Sequence, residues 1–243
     1  MVKKLYWSKK QDLEVLREEI ELNNVVICST DTIYGFLGNI TLDGFNRICQ
    51  IKGVCETRPF LILISRHDLL NKLASFVDMS CIPEKTLKFI QKCWPGPVTF
   101  IFKAKGVKNP ELFENSPDFL PNGYSTPFVE GPIDFLSGGR ATIAIRCPDH
   151  VGLQGLLTNF DGLFSTSANK AGLRHPEKFE NIDQDLLNLV NYVVLDKRES
   201  SGEKASIIID LSCPDYMKEF PFGLVRGGDF SLEKLQEIYK SVS

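Results

Sequence analysis

Five segments of this sequence set small hydroxyls or cations where an apolar run gives way to a polar loop: Thr30–Thr32, Lys52 to Arg58, Thr142 with Arg146, Ser165–Asn169, and Ser206 with Arg226. Hydroxyls, amides and exposed backbone donate at short range, which suits phosphate and ribose oxygens. Lys52, Arg58 and Arg226 could together neutralise a polyphosphate. Thr142 and Arg146 lie four apart in an alternating run (ATIAIR), so on a strand they share a face. Ala144 between them leaves room for a ligand. Taken singly, each segment also has a plain structural explanation: a solvated sheet face, a Ser/Asn turn, or a surface cation.

Several chemistries drop out. No GxxxxGK[ST] or GxGxxG pattern is present, so a bound nucleotide would be held by another arrangement. No local context supports a Ser-His-Asp or Cys-His nucleophile. His67, His150 and His175 are far apart, and the seven cysteines show no CxxC spacing, so no protein-liganded metal is expected. The thiols read as buried and free in a reducing compartment. With 28 Lys+Arg against 31 Asp+Glu, the chain is not a basic polyelectrolyte, although a local basic groove remains open. The apolar runs are too short to cross a bilayer, and the N-terminus carries no signal-peptide h-region. A cytoplasmic protein with no membrane partner is the expectation.

The elements that must position these residues follow from periodicity. Helical patterns cover 11–22, 42–52, the stretch after Pro83 to Trp94, and the stretch after Ser231, which is expected to cap a final helix. Strands are expected at 25–28, 60–64, 98–102, 141–146, 192–195, 206–209 and 223–226, and from Leu163 into the turn ending at Asn169. Residues 53–59 read as a loop, and 104–140 as a long loop or insertion. Strands and helices mix without a strict βαβ rhythm. The expectation is one α/β domain over residues 1–243, an open twisted mixed sheet with helices packed on it.

In order, STDTIYGF (29–36), IKG (51–53), RPFLILIS (58–65), WPGPVTFIF (94–102), TIAIRCPDH (142–150), STSAN (165–169), ASIIID (205–210) and LVRGG (224–228) resemble the YrdC-like family. These are the threonylcarbamoyl-AMP synthases that begin a tRNA modification. The resemblance implies a sheet around a large basic concave cavity. It implies that ATP, L-threonine and bicarbonate give threonylcarbamoyl-AMP and pyrophosphate, with Mg²⁺ accompanying ATP. The product would pass to a tRNA threonylcarbamoyl-transfer machinery. Lys52, Ser167 and Asn169 match the family's KxR…SxN signature and, with Arg58, are the implied catalytic set. Thr142, Ser167, Asn169 and Arg226, beside Lys52 and Arg58, are the implied ATP contacts. Thr32, Arg146, Ser165 and Ser206 are the implied threonine contacts, with Arg146 facing the carboxylate.

The chain departs from the pattern at Val54, where the family has arginine; Arg58 offers a charge four residues later. Ala171 and Ile207 replace a serine and a threonine of the family motifs. The chain is expected to lack the second domain of the family's long form. Two other readings stay open. One is a related enzyme with another carbamoyl or acyl substrate, because a fold does not fix its substrate. The other is a non-catalytic module binding double-stranded RNA.

Overall fold

The computed structural model describes residues 2–53, 60–105, 142–170, 172–196 and 204–242. Ten strands form one sheet: β1 (Lys3–Tyr6), β2 (Val26–Cys28), β3 (Gly35–Asn39), β4 (Leu61–Leu63), β5 (Val98–Lys103), β6 (Thr142–Arg146), β7 (Leu163–Ser167), β8 (Tyr192–Leu195), β9 (Ile207–Asp210) and β10 (Gly223–Arg226). Their order is β1-β8-β2-β3-β7-β4-β6-β5-β9-β10. The pairs β1–β8, β2–β8, β4–β6 and β5–β9 are parallel, and the remaining pairs are antiparallel. The sheet is therefore mixed, as the irregular rhythm implies.

The described helices are α1 (Lys10–Glu21), α2 (Leu42–Lys52), α3 (Leu69–Phe76), α4 (Glu84–Cys93), α5 (Val151–Leu157), α6 (Gln184–Asn188) and α7 (Leu232–Ser241). The expected elements appear within a residue or two. Periodicity does not reveal β1, β3, α3, α5 or α6. β3 (GFLGN) holds two glycines and no alternation, and α5 (VGLQGLL) is short and equally glycine-rich. Ala104 bridges Val77, and the Lys105 amide bonds to Phe76 O, so the first two residues of the expected 104–140 loop are pinned. Its continuation at 106–140 lies outside the described residues, as do Val54, Arg58 and Ala171.

Strand alternation divides the sheet into two unlike faces. On one, Ile27, Phe36, Phe164, Ile62, Ile145, Phe100 and Ile209 form a continuous apolar surface. It is covered by Phe45 and Ile48 of α2, Phe89 and Ile90 of α4, and Leu235 and Tyr239 of α7. Phe89 meets Phe100 and Tyr239 edge-on at 5.5 and 5.4 Å, a favoured aromatic geometry.

The opposite face is apolar over only part of its width. Leu5, Val26, Cys28, Leu37, Leu63, Leu163 and Val194 are covered by Leu16 and Ile20 of α1 and by Leu153, Leu156 and Leu157 of α5. Toward β6, β5 and β9 the same face turns polar. Leu63 pairs with Arg146, and Ala144 and Thr142 continue that face opposite Ile101 and Lys103. Thr142, Ala144, Ile101 and Ile208 are partly exposed although they sit on inner strands. Among the described residues, no helix is long and apolar enough to cross a membrane.

Candidate active site

One group of side chains lies at the end of β7 beside α2, and two more stand on this polar half-face. The first is built by α2. Thr41 caps its N-terminus by accepting the Gly44 amide at 3.0 Å, and Gly53 ends it in the left-handed conformation at φ 64°. That end delivers Lys52, whose ammonium donates to Ser167 O at 2.8 Å and Asn169 O at 3.0 Å and lies 5.7 Å from the Phe36 ring. The Ser167 hydroxyl donates to Asn169 Oδ1, and Asn169 Nδ2 donates to Lys170 O. The turn after β7 is thus braced by its own asparagine, and the cation is drawn onto the turn's carbonyls.

The second group centres on Arg146 at the end of β6, with a side chain only 5% exposed. Its Nε donates to Gly96 O at 3.0 Å and its Nη1 to Thr32 Oγ1 at 2.8 Å. Its Nη2 lies 2.6 Å from Asp31 Oδ2. Asp31 Oδ1 is buried without a hydrogen-bond partner among the described residues. Thr30 folds the 29–34 loop locally: its hydroxyl donates to Ile33 O and accepts the amides of Thr32 and Ile33. The Tyr34 carbonyl then accepts the Ala168 amide, joining this loop to the first group.

The third group is Ser206, Arg226 and Thr99. Arg226 Nη2 donates to Ser206 O at 2.9 Å, and the Ser206 and Thr99 hydroxyls share a hydrogen bond of 2.8 Å. Gly228 allows the chain to pass here, since a Cβ on it would stand 2.2 Å from Ile207 N. Burial, and then the nearby charge of Arg146, hold the Arg226 guanidinium below its ordinary pKa. The second and third groups are therefore electrostatic neighbours.

Of the residues singled out from sequence, Lys52, Ser167 and Asn169 meet directly, as do Thr32 with Arg146 and Ser206 with Arg226. Ser165 and Thr142 lie on the same face without joining these contacts. Sequence reasoning passed over Asp31 and Thr99. Asp31 was hidden between two threonines, and Thr99 within an apolar strand; only pairing across the sheet distinguishes them.

The comparisons with known proteins bear on this arrangement. A family model covering Sua5, YciO and YrdC proteins, described as telomere recombination, matches residues 18–220. The chain belongs to that family. Within it, a threonylcarbamoyl-AMP synthase of Enterobacter sp. is 34% identical over 171 residues, covering 68% of this chain and 72% of the relative. A threonylcarbamoyl-AMP synthase of Pyrococcus abyssi is 27% identical over 222 residues, covering 90% of this chain but 54% of the relative. The solved Pyrococcus abyssi Sua5 complexed with L-threonine superposes with a TM-score of 0.72 at 21% identity, over 100% of this chain and 62% of the other. The family fold is thus present across the described sheet, while the chain spans about half the length of the Pyrococcus relative.

Proposed function

We propose that the polar half-face makes threonylcarbamoyl-AMP from ATP, L-threonine and bicarbonate, releasing pyrophosphate, as the first step of a tRNA modification. The observation that carries this reading is the pair of Arg146 and Arg226 groups on one sheet face, with the Lys52 turn joined to the Arg146 loop through the Ala168–Tyr34 hydrogen bond, in a chain whose relatives bear that enzyme's name.

Lys52, Arg58, Thr142, Ser167, Asn169 and Arg226 hold ATP, with Mg²⁺ entering as the nucleotide's counter-ion. Thr32, Arg146, Ser165 and Ser206 hold threonine. The threonine amine is first carboxylated by bicarbonate or CO2. A carbamate oxygen then attacks the α-phosphorus; that P–O bond forms as the α–β bond breaks, and pyrophosphate leaves with the electron pair. Both reactants are anionic, so the protein's task is to position them and to offset their repulsion. The ammonium of Lys52 sits where the turn carbonyls already aim it, and Arg226 stands beside Ser206. No side chain needs to act as a covalent nucleophile. The protein works in the cytoplasm and passes its labile product to a threonylcarbamoyl-transfer machinery.

Incubation with ATP, Mg²⁺, bicarbonate and threonine, followed by detection of the acyl-adenylate, tests the reading. Threonine-dependent adenylate and pyrophosphate are expected. A preference for another amino acid would assign a sister activity. Tight, salt-sensitive RNA binding without ATP turnover would replace the enzyme with a binding module.

A further inference from the structure

We propose that Asp31 is a positioning residue for the threonine end of the site: its carboxylate holds Arg146, and through Arg146 the Thr32 hydroxyl, in the arrangement that receives the amino acid. The inference rests on the threonylcarbamoyl-AMP synthase reading and goes beyond it, because it changes what Arg146 offers the substrate.

All three nitrogens of the Arg146 guanidinium are engaged, by two segments: Nε and Nη1 through hydrogen bonds, Nη2 through an ion pair without a hydrogen bond. Nε reaches Gly96 O in the loop before β5 at 3.0 Å. Nη1 reaches Thr32 Oγ1 at 2.8 Å. Nη2 reaches Asp31 Oδ2 at 2.6 Å. Asp31 Oδ2 also accepts the Asp149 amide at 2.8 Å, which ties the loop after β2 to the loop after β6. The two side chains are 5% and 11% exposed. A guanidinium this deeply buried needs a counter-charge, and Asp31 supplies it.

The same network sets the polarity of Thr32. An N–H of Arg146 occupies a lone pair of its hydroxyl oxygen, so the hydroxyl hydrogen is left to donate. The neighbouring Thr30 oxygen, 3.1 Å away, already accepts two backbone amides. Thr30 gives its own hydrogen to Ile33 O, so the contact draws on the Thr32 hydrogen, which a ligand acceptor such as an amino-acid carboxylate would take over. Arg226 feels the charge of Arg146. Without Asp31, the buried Arg146 charge would lose its counter-charge, and its hold on Thr32 would loosen.

The test compares Asp31→Asn, which removes charge at constant shape, with Asp31→Glu, which keeps it. Asp31→Asn is expected to raise the KM for threonine about tenfold, with kcat falling less and the KM for ATP unchanged or lower. Asp31→Glu is expected to recover most of the threonine KM. A threonine KM within twofold of wild type, or an ATP KM rising in step with it, overturns the proposal. If Asp31→Asn does not fold, Asp31→Ser, which also removes the charge, takes its place in both the kinetic comparison and the unfolding cycle. A double-mutant cycle of Asp31→Asn and Arg146→Gln, read by urea unfolding, needs no activity; about tenfold coupling in the unfolding constant is expected, and additivity overturns the proposal. A folded wild type that makes no threonine-dependent adenylate defeats the functional reading instead, and the unfolding cycle then decides whether Asp31 holds Arg146.

Discussion

The two faces of the sheet are built from the same strands and meet opposite fates. In β6, Ile143 and Ile145 point into the aromatic layer under α4, while Thr142, Ala144 and Arg146 point the other way. In β7, Phe164 packs on Phe45 and Phe60, while Ser165 and Ser167 stand on the polar side. One face does what a sheet ordinarily does: it buries branched and aromatic groups under helices, and stability comes from that area. The other gives up that burial over half its width. Fixed hydroxyls and cations hold each other there through backbone carbonyls, a geometry that costs stability and gains a site.

The sharpest way to break this division is to cut a large side chain from the apolar face. Phe100→Ala, at a fully buried position touching Phe89, Trp94 and Phe102, is expected to destabilise by about 3–5 kcal/mol in urea unfolding. Activity per folded molecule should hold.

The mirror experiment is Lys52→Ala. It should lower threonine-dependent pyrophosphate release on the order of 100-fold, the scale of one lost electrostatic contact at a reacting phosphate, with little change in stability. Full turnover in a folded Lys52→Ala protein would erase the functional side of the comparison.

Alkaline titration sharpens the same contrast through thiols of the apolar layers. Burial raises the Cys147 thiol to about 11 and Cys93 to about 12, and raises Cys28 further. The unfolded chain ionises these thiols near the ordinary value of about 8.5, so above it the unfolded state binds fewer protons than the native state. Stability from these three groups is intact below about pH 8 and falls as pH rises; together they should remove about 2 kcal/mol between pH 8 and 9. Unchanged unfolding midpoints over that interval would show the thiols to be more open than their packing implies. In native protein at pH 8, exposed Cys81 and Cys213 should react with thiol reagents before Cys28, Cys93 or Cys147.

The smallest effect tests how the faces are joined. α2 packs Phe45 and Ile48 on the apolar side and presents Lys52 at its far end. Removing its cap by Thr41→Ala, which also loses the hydrogen bond to Asn23 at 2.6 Å, should cost about 1 kcal/mol in urea unfolding and leave turnover within a factor of two or so.

Much of this molecule was legible before folding. The alternation in 142–146 separates an isoleucine face from a Thr/Ala/Arg face because the strand repeat is two. The helical stripe of 42–52 ends on Lys52, and Gly53 marks the stop. The ordered motifs from 29 to 228 named a family, and the matched span confirms it. β3 and α5 were not legible, since glycine-rich segments carry weak local preference and are held by their neighbours: β3 lies between β2 and β7, and α5 packs its leucines against α1's side of the sheet.

The sequence by itself determined which residue types could meet phosphate and an amino acid, and on which strand faces they stand, because side-chain direction along a strand is a local property. Only the tertiary structure decided which of them touch. Asp31 and Arg146 are 115 positions apart and become a buried ion pair because two loops fold onto one face of the sheet. No local pattern reports that a charge read as free for substrate already has an internal partner, since charge compensation in a buried site depends on distance in space and not along the chain.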